Sequence, residues 1–305
     1  MMKISEQRRI DLDKAINTYL ERFEKSNIDI QRKFLEYSGY YKFTNEYLGR
    51  LILKKNYSAE FLSEKRLLTV LSSGDQAFNF INQGVMTVDT FDINRLTEYF
   101  ALGFKKVALE TLTYDQFENL FKNFLVDSAR DLEKGVIENA PEEYKWFWTE
   151  FKYALKQNGF PNPSVFDLAK RMDYYRVKSS NVNPYLCSVD DYKNFQQQLS
   201  KAKITFQQCD IKELPTKLAK YDLVLLSNIV EYYGKSNKPI SEQLLEAQTV
   251  TQDIFNNNLN LGGEMVLFAF YQSFIGKVCR NLNINCAKDI FYLLEDKVYS
   301  LKRSL

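Results

Sequence analysis

The sequence predicts an α/β fold, a parallel sheet buried on both faces with helices packed on either side. Three observations predict it. The first is the stretch 67–94, which reads as strand, tight turn, short helix, strand and acidic turn, the opening of a ligand-binding α/β unit. The second is a pair of later apolar runs, 203–210 and 221–228, each ending in small or acidic polar residues, Cys209-Asp210 and Ser227-Asn228. The third is a closing pattern of Gly-Gly turn, strand and β-hairpin over 261–301.

The chain divides into an N-terminal helical segment, 1–64, and the α/β unit, 65–305, which carries a helical insertion over 113–180. In 5–25, Ile10, Leu12, Ala15, Ile16, Tyr19, Leu20 and Phe23 recur at helical spacing, and 28–53 continues with many aromatics. Ser38-Gly39 interrupts that pattern beside Tyr40 and Tyr41. These tyrosines are either part of a lid or ordinary packing aromatics.

Leu67, Leu68, Val70 and Leu71 form the first strand, and Gly74 lets the backbone turn sharply after it. From Asp75 to Gln83, Ala77, Phe78, Phe80 and Ile81 are spaced for a helix that Gly84 ends. Val85 to Phe91 is the second strand, and it stops at Asp92-Ile93-Asn94. An acid closing the second strand of such a unit lies where a ribose diol would sit, and its carboxylate can accept hydrogen bonds from both hydroxyls. Asp92 is therefore the leading candidate ligand. Its distance in sequence from Gly74 suits a nucleotide-binding turn and its ribose acid. The turn has one glycine rather than Gly-x-Gly-x-x-Gly, so a pyrophosphate has no cradle. A nucleoside without phosphates, such as S-adenosylmethionine, fits better than NAD.

Downstream, 94–112 is a long helix with Leu96, Phe100, Val107 and Ala108 inward, and 114–125 repeats the period through Phe117, Leu120, Phe121 and Phe124. Pro141 opens a helix over 142–157, and Ser164 caps a short one that reaches Met172. The α/β pattern resumes with a helix at 191–199 and strands at 203–210 and 221–228. A helix over 240–259, a turn at Leu261-Gly262-Gly263, a strand at 264–270 and a hairpin of 289–294 and 298–301 complete the chain.

With 41 basic and 39 acidic residues and a net charge of +2, nothing global argues for a nucleic-acid partner. Lys170, Arg171, Arg176 and Lys178, with Tyr174 and Tyr175 among them, could meet an anionic group or form a solvated helix face. Histidine is absent, which excludes imidazole acid-base chemistry and imidazole metal ligands. The four cysteines have no CxxC spacing, so no metal site is expected and reduced thiols are. No apolar run approaches a membrane span, and the first nine residues are unlike a signal peptide. A cytoplasmic protein is expected.

The strand order, with Ser72-Ser73-Gly74-Asp75-Gln76, Asp92-Ile93-Asn94, Leu102-Gly103-Phe104-Lys105-Lys106 and Leu226-Ser227-Asn228-Ile229, resembles class I S-adenosylmethionine-dependent transferases. Among these it is most similar to the betaine-lipid synthase type, the S-adenosylmethionine:diacylglycerol 3-amino-3-carboxypropyltransferases. The similarity covers about residues 65–125 and 182–270. It implies a Rossmann-like class I methyltransferase sheet. It also implies that Gly74 and Asp75 line the methionine part, that Asp92 and Asn94 hold the ribose side and that Asp210 reaches the adenine amino group. Ser227 and Asn228 would then face the sulfonium, with Ser72, Ser73, Ile93, Cys209 and Ile211 as further cofactor-binding residues. The acceptor would be a small molecule or a lipid, although the missing histidines separate this chain from lipid-modifying members that use one.

Catalysis in such a site is mainly placement of a nucleophile in line with an electrophilic carbon. Asn228, Tyr232 and Tyr233 are the candidate positioning groups, with Glu231 as a solvated neighbour. Aminocarboxypropyl transfer is the first expectation, methyl transfer the alternative, and a non-catalytic cofactor-binding scaffold the third.

Overall fold

The computed structural model describes residues 4–24, 40–44, 46–123, 126–170, 178–235, 237–269, 274–282, 286–293 and 296–304. Its main sheet has seven strands: β1 (Arg66–Val70), β2 (Thr87–Asp92), β3 (Lys203–Gln208), β4 (Tyr221–Ser227), β5 (Leu259–Ala269), β6 (Cys286–Leu293) and β7 (Asp296–Arg303). They lie in the order β3-β2-β1-β4-β5-β7-β6. β7 runs antiparallel to both its neighbours, and the other pairings are parallel. The fold is a Rossmann-like α/β sheet covered by helices on both faces.

The central strands read as continuous apolar runs because both faces are buried. Their side chains alternate between two cores. Leu67, Val88, Leu223, Leu225, Val266 and Phe268 enter one. Leu68, Val70, Phe91, Val224, Leu226, Met265 and Leu267 enter the other, where helices Ile240–Asn258 and Phe274–Asn281 cover them. Edge strand β3 is only partly buried, and its Lys203, Thr205 and Gln207 suit an edge that must not recruit another chain. β5 starts at Leu259, earlier than its sequence pattern indicates. Gly262 takes a φ of 75° and the β4–β5 register shifts between Tyr221 and Leu223, so the Gly-Gly pair is an irregularity inside a strand and not a turn before it.

The first core is thick and aromatic, which accounts for the 15% aromatic content. Helix Glu6–Glu24 packs on helix Glu142–Gln157 of the insertion, with Arg8 paired to Glu143 at 2.9 Å. Tyr40–Tyr41 pairs in parallel with Ala169–Lys170. The N-terminal segment and the insertion thus form one layer over this face. Part of the 28–53 pattern lies outside the described residues, as do Ser38 and Gly39, and the described helix is Leu48–Lys55. Tyr40 is a packing residue and not a lid: it is buried, stacks on Phe100 at 4.2 Å and donates its hydroxyl to the Val165 carbonyl.

Within the insertion, helices Tyr114–Lys122 and Glu142–Gln157 follow the sequence pattern. Asp127–Asn139 is a further helix that the sequence pattern did not reveal. Ser164 caps only a 3-10 turn, Val165–Leu168, before the chain extends. Of the basic cluster, residues 171–177 and the Lys170 side chain lie outside the described residues. Lys178 pairs with Glu118 and lies over the Tyr114 ring, a structural use of its charge.

Candidate functional site

Strand order reverses between β1 and β4, and in open α/β sheets ligands bind beyond the carboxyl ends of the strands at that point. Along this edge lie, in spatial order, Cys209-Asp210 after β3, Asp92 at the end of β2, Ser72-Ser73-Gly74 after β1 and Ser227-Asn228 at the end of β4. Among the described residues, three non-glycine positions have positive φ. Asn56 ends a helix, and the other two are Ser72 (φ 46°) and Ser227 (φ 56°), one at each side of the switch point. Left-handed serine is unfavourable, and such conformations concentrate at functional sites.

Asp92 is fixed by backbone donors. Ser72 N–H donates to Oδ2 (3.1 Å) and Asn94 N–H to Oδ1 (2.9 Å). The Thr97 hydroxyl and the Ile93 N–H also act on this carboxylate. Burial pushes the Asp92 carboxyl up to about 6, against the opposing effect of the Asn94 and Ser72 N–H groups. Asn94 caps the following helix by accepting from Leu96 N–H (3.1 Å), and Ile93 between them is 62% exposed. Cys209 N–H donates to the Asp92 carbonyl (3.2 Å), which ties the β3 exit to the β2 exit. The Cys209 thiol is buried, and burial raises it to about 11, so it is no nucleophile. Asp210 caps the 3-10 turn Ile211–Glu213, accepting from Lys212 N–H (2.9 Å). Ile211 is buried beside it.

Asp75 is placed differently from a ligand-lining residue. It is 0% exposed and its acceptors are taken: Thr44 N–H (2.6 Å) and Ser73 Oγ (3.0 Å) donate to Oδ2, and Lys105 Nζ and the Tyr185 hydroxyl to Oδ1. Lys105 is equally buried, donates also to the Lys42 and Ser73 carbonyls (2.7 and 3.2 Å), and sits 4.1 Å from the Phe43 ring centroid. Burial lowers its pKa, and Asp75 opposes that shift. Lys105 reaches this position because a π-helical turn, Ala101–Lys105, interrupts the helix after β2. Gly74 has a φ of 84°, and a Cβ there would lie 2.7 Å from the Phe78 ring, so this glycine serves the chain's own packing as well as the turn.

Of the groups after β4, Tyr232 is exposed at its ring, and Glu231 is half-buried. Tyr233 packs against the second core with Lys212 over its ring (5.3 Å), and its buried hydroxyl has no hydrogen-bond partner among the described residues. A buried orphan hydroxyl is costly and calls for a reason. Among the described residues no group of acids and cysteines is placed to hold a metal, and no helix is long and apolar enough to cross a membrane. Glu46, Thr44, Lys105 and Tyr185 also reach this edge although sequence reasoning did not select them. Only Lys105 carried a signal, through its place in the Leu102–Lys106 motif.

The order β3-β2-β1-β4-β5-β7-β6 with antiparallel β7 is a Rossmann-like sheet, mainly parallel, that closes on an antiparallel hairpin. No family model matches the chain, and no curated protein matches it. Solved structures do. Magnesium protoporphyrin IX methyltransferase from Synechocystis, with bound S-adenosylmethionine, is 11% identical over 100% of both chains, with a TM-score of 0.38. The rRNA methyltransferase aviRa from Streptomyces viridochromogenes is 8% identical over 84% of this chain and 83% of its own, at 0.39. The N-methyltransferase NodS from Bradyrhizobium japonicum is 9% identical over 84% and 94%, at 0.36. At such scores the fold assignment rests on this chain's own strand order.

The buried Lys105–Asp75 pair gives a stability prediction. Lys105→Met leaves a carboxylate buried without its cation and is expected to cost about 3–5 kcal/mol in denaturant unfolding. Adding Asp75→Asn is expected to recover part of that loss, and a single-variant loss below about 1 kcal/mol would contradict the pairing.

Proposed function

We propose that the chain is an S-adenosylmethionine-dependent transferase whose cofactor lies across the ends of β2, β1 and β4. The observation that carries this reading is Asp92: a strand-end carboxylate beside the switch point, held by the Ser72 and Asn94 N–H groups at the position where a ribose diol would lie. The exposed Ile93 side chain is suited to lie against an adenine face, and the Asp210 carboxylate to accept from its amino group. The helix after Gly74 offers a pyrophosphate no cradle, since Asp75 occupies its first turn and the Thr44 N–H is bonded there. A phosphate-free nucleoside suits these surroundings better than a dinucleotide.

When bound, the cofactor supplies a sulfonium whose adjacent carbons are electrophilic. The chain's part is to orient it and the acceptor. Asn228 at the β4 exit and the partnerless Tyr233 hydroxyl are the groups we assign to the acceptor side. Methyl transfer to a small molecule is the first reading, on a sheet that serves either transfer. Aminocarboxypropyl transfer is the second reading, favoured by the Ser72–Gln76 and Asp92–Asn94 motifs. The co-product separates them: methyl transfer leaves S-adenosylhomocysteine and aminocarboxypropyl transfer leaves methylthioadenosine. The test is turnover on a cell extract, with chromatography of the adenosine products and a no-enzyme control. S-adenosylhomocysteine is expected, methylthioadenosine would move the chain to the second reading, and a protein that binds no S-adenosylmethionine in calorimetry would refute both.

The raised Asp92 pKa gives a pH dependence. Below about 6 the free chain holds a proton on the carboxylate, and that proton must leave before both oxygens can accept ribose hydroxyls. Affinity for S-adenosylmethionine is therefore expected to be about tenfold weaker at pH 5 than at pH 7.5 and flat above. Asp92→Asn should abolish the slope, and an unchanged slope in that variant would assign the titration to another group. The same shift makes the Asp92 contribution to stability fall as pH rises from 3.8 towards about 6, because the folded chain holds the proton more tightly than the unfolded one.

A further inference from the structure

A chain of hydrogen bonds crosses the ends of β1 and β4 beneath the switch point. Thr69 Oγ1 donates to Gln76 Oε1 (2.7 Å), and Gln76 Nε2 donates to Glu46 Oε2 (3.0 Å). Ser227 Oγ donates to Glu46 Oε1 and lies 3.3 Å from Asn228 Oδ1. Glu46 is 2% exposed and 181 residues from Ser227 in sequence, and it reaches the site from the N-terminal segment. Ser227 is the β4 residue held at positive φ.

We propose that Glu46 is a positioning residue that holds Ser227 in its left-handed conformation and so fixes where Asn228 and the turn after it face. An L-residue stays in that region only when its surroundings over-determine it. A hydroxyl donated to a buried carboxylate supplies such a constraint, because charge-assisted hydrogen bonds are stronger than neutral ones and the low surrounding dielectric strengthens them further. Gln76 sets the carboxylate from the other side, and Gln76 lies in the helix that follows Gly74. The N-terminal segment thereby couples the β1 turn to the β4 exit. Without Glu46, the backbone at 227 is free to relax to negative φ, and Asn228 swings with it.

The consequence for ligand binding rests on the proposed cofactor, and a double-mutant cycle separates the two ideas. Glycine adopts positive φ without help, so Ser227→Gly removes the need for the tether. Calorimetric titration with S-adenosylmethionine and thermal unfolding are measured on wild type, Glu46→Leu, Ser227→Gly and the double variant. Glu46→Leu is expected to weaken binding about tenfold or more. Ser227→Gly removes its own hydroxyl as well as the tether and so sets the reference, and the double variant is expected to bind within about threefold of Ser227→Gly, with melting temperatures coupled in the same direction. Equal weakening by Glu46→Leu in both backgrounds overturns the proposal, since Glu46 then acts on the ligand or on the fold alone. Should Glu46→Leu fail to fold, Glu46→Gln makes the same comparison at smaller amplitude. If wild type binds no S-adenosylmethionine, the cofactor reading falls and the thermal cycle decides the positioning role: coupling sustains it and additivity overturns it.

Discussion

A carboxylate with no exposure to water must have its charge and its lone pairs met from within, and at Asp75 four separate parts of the chain meet them. Thr44 comes from the N-terminal segment, Ser73 from the β1 turn, Lys105 from the π-helical turn after β2 and Tyr185 from the 3-10 turn Pro184–Leu186 that follows the insertion. Removing any one leaves a buried polar group unmatched, so the four segments hold their places together. The β1 turn is therefore shaped as much by what is packed over it as by its own serines and glycine. In sequence, Ser72–Asp75 reads as a ligand-lining motif; in the folded chain its acid faces inward to Lys105.

That constraint divides the switch-point edge into two parts. On the β2 and β3 side the groups are partly open: the half-buried Asp92, the exposed Ile93, and Asp210, whose carboxylate caps its own helical turn. On the β1 and β4 side the polar groups are drawn into internal networks, one centred on Asp75 and one on Glu46. The left-handed serines stand at the boundary, one after β1 and one ending β4. Under the proposed function, a site built this way places a nucleoside by direct contact and controls the group beyond it by holding two backbone turns in conformations they would otherwise leave.

The sheet was legible because its cause is local. Both-face burial makes β4 a nearly unbroken apolar run, and the alternation in β2 and the turn residues around it set their own boundaries. The position of Asp92 at the end of β2 was legible for the same reason, since a strand end has a defined place in such a sheet. Glu46 was not, because its partners lie 30 and 181 residues away and no short pattern encodes such a pairing. Lys105 lay within a pattern that read as one regular helix, 94–112. The π-helical turn carries it inward, and Ala101, Leu102, Gly103, Phe104 and Lys105 are all buried in succession. Asp127–Asn139 was missed because its apolar residues are few and interspersed with charge, and what it buries is mainly Ala129, Val136, Ile137 and Glu133.

The central claim is that the N-terminal segment is built into the site through Asp75 rather than draped over it. The amide of Thr44 reports on this directly, since its N–H is bonded to the Asp75 carboxylate in the protein interior. Native-state hydrogen exchange should find that amide protected nearly as well as those of β1, exchanging only through large-scale unfolding. Exchange of the Thr44 amide at the rate of an exposed loop, with β1 still protected, would contradict the account.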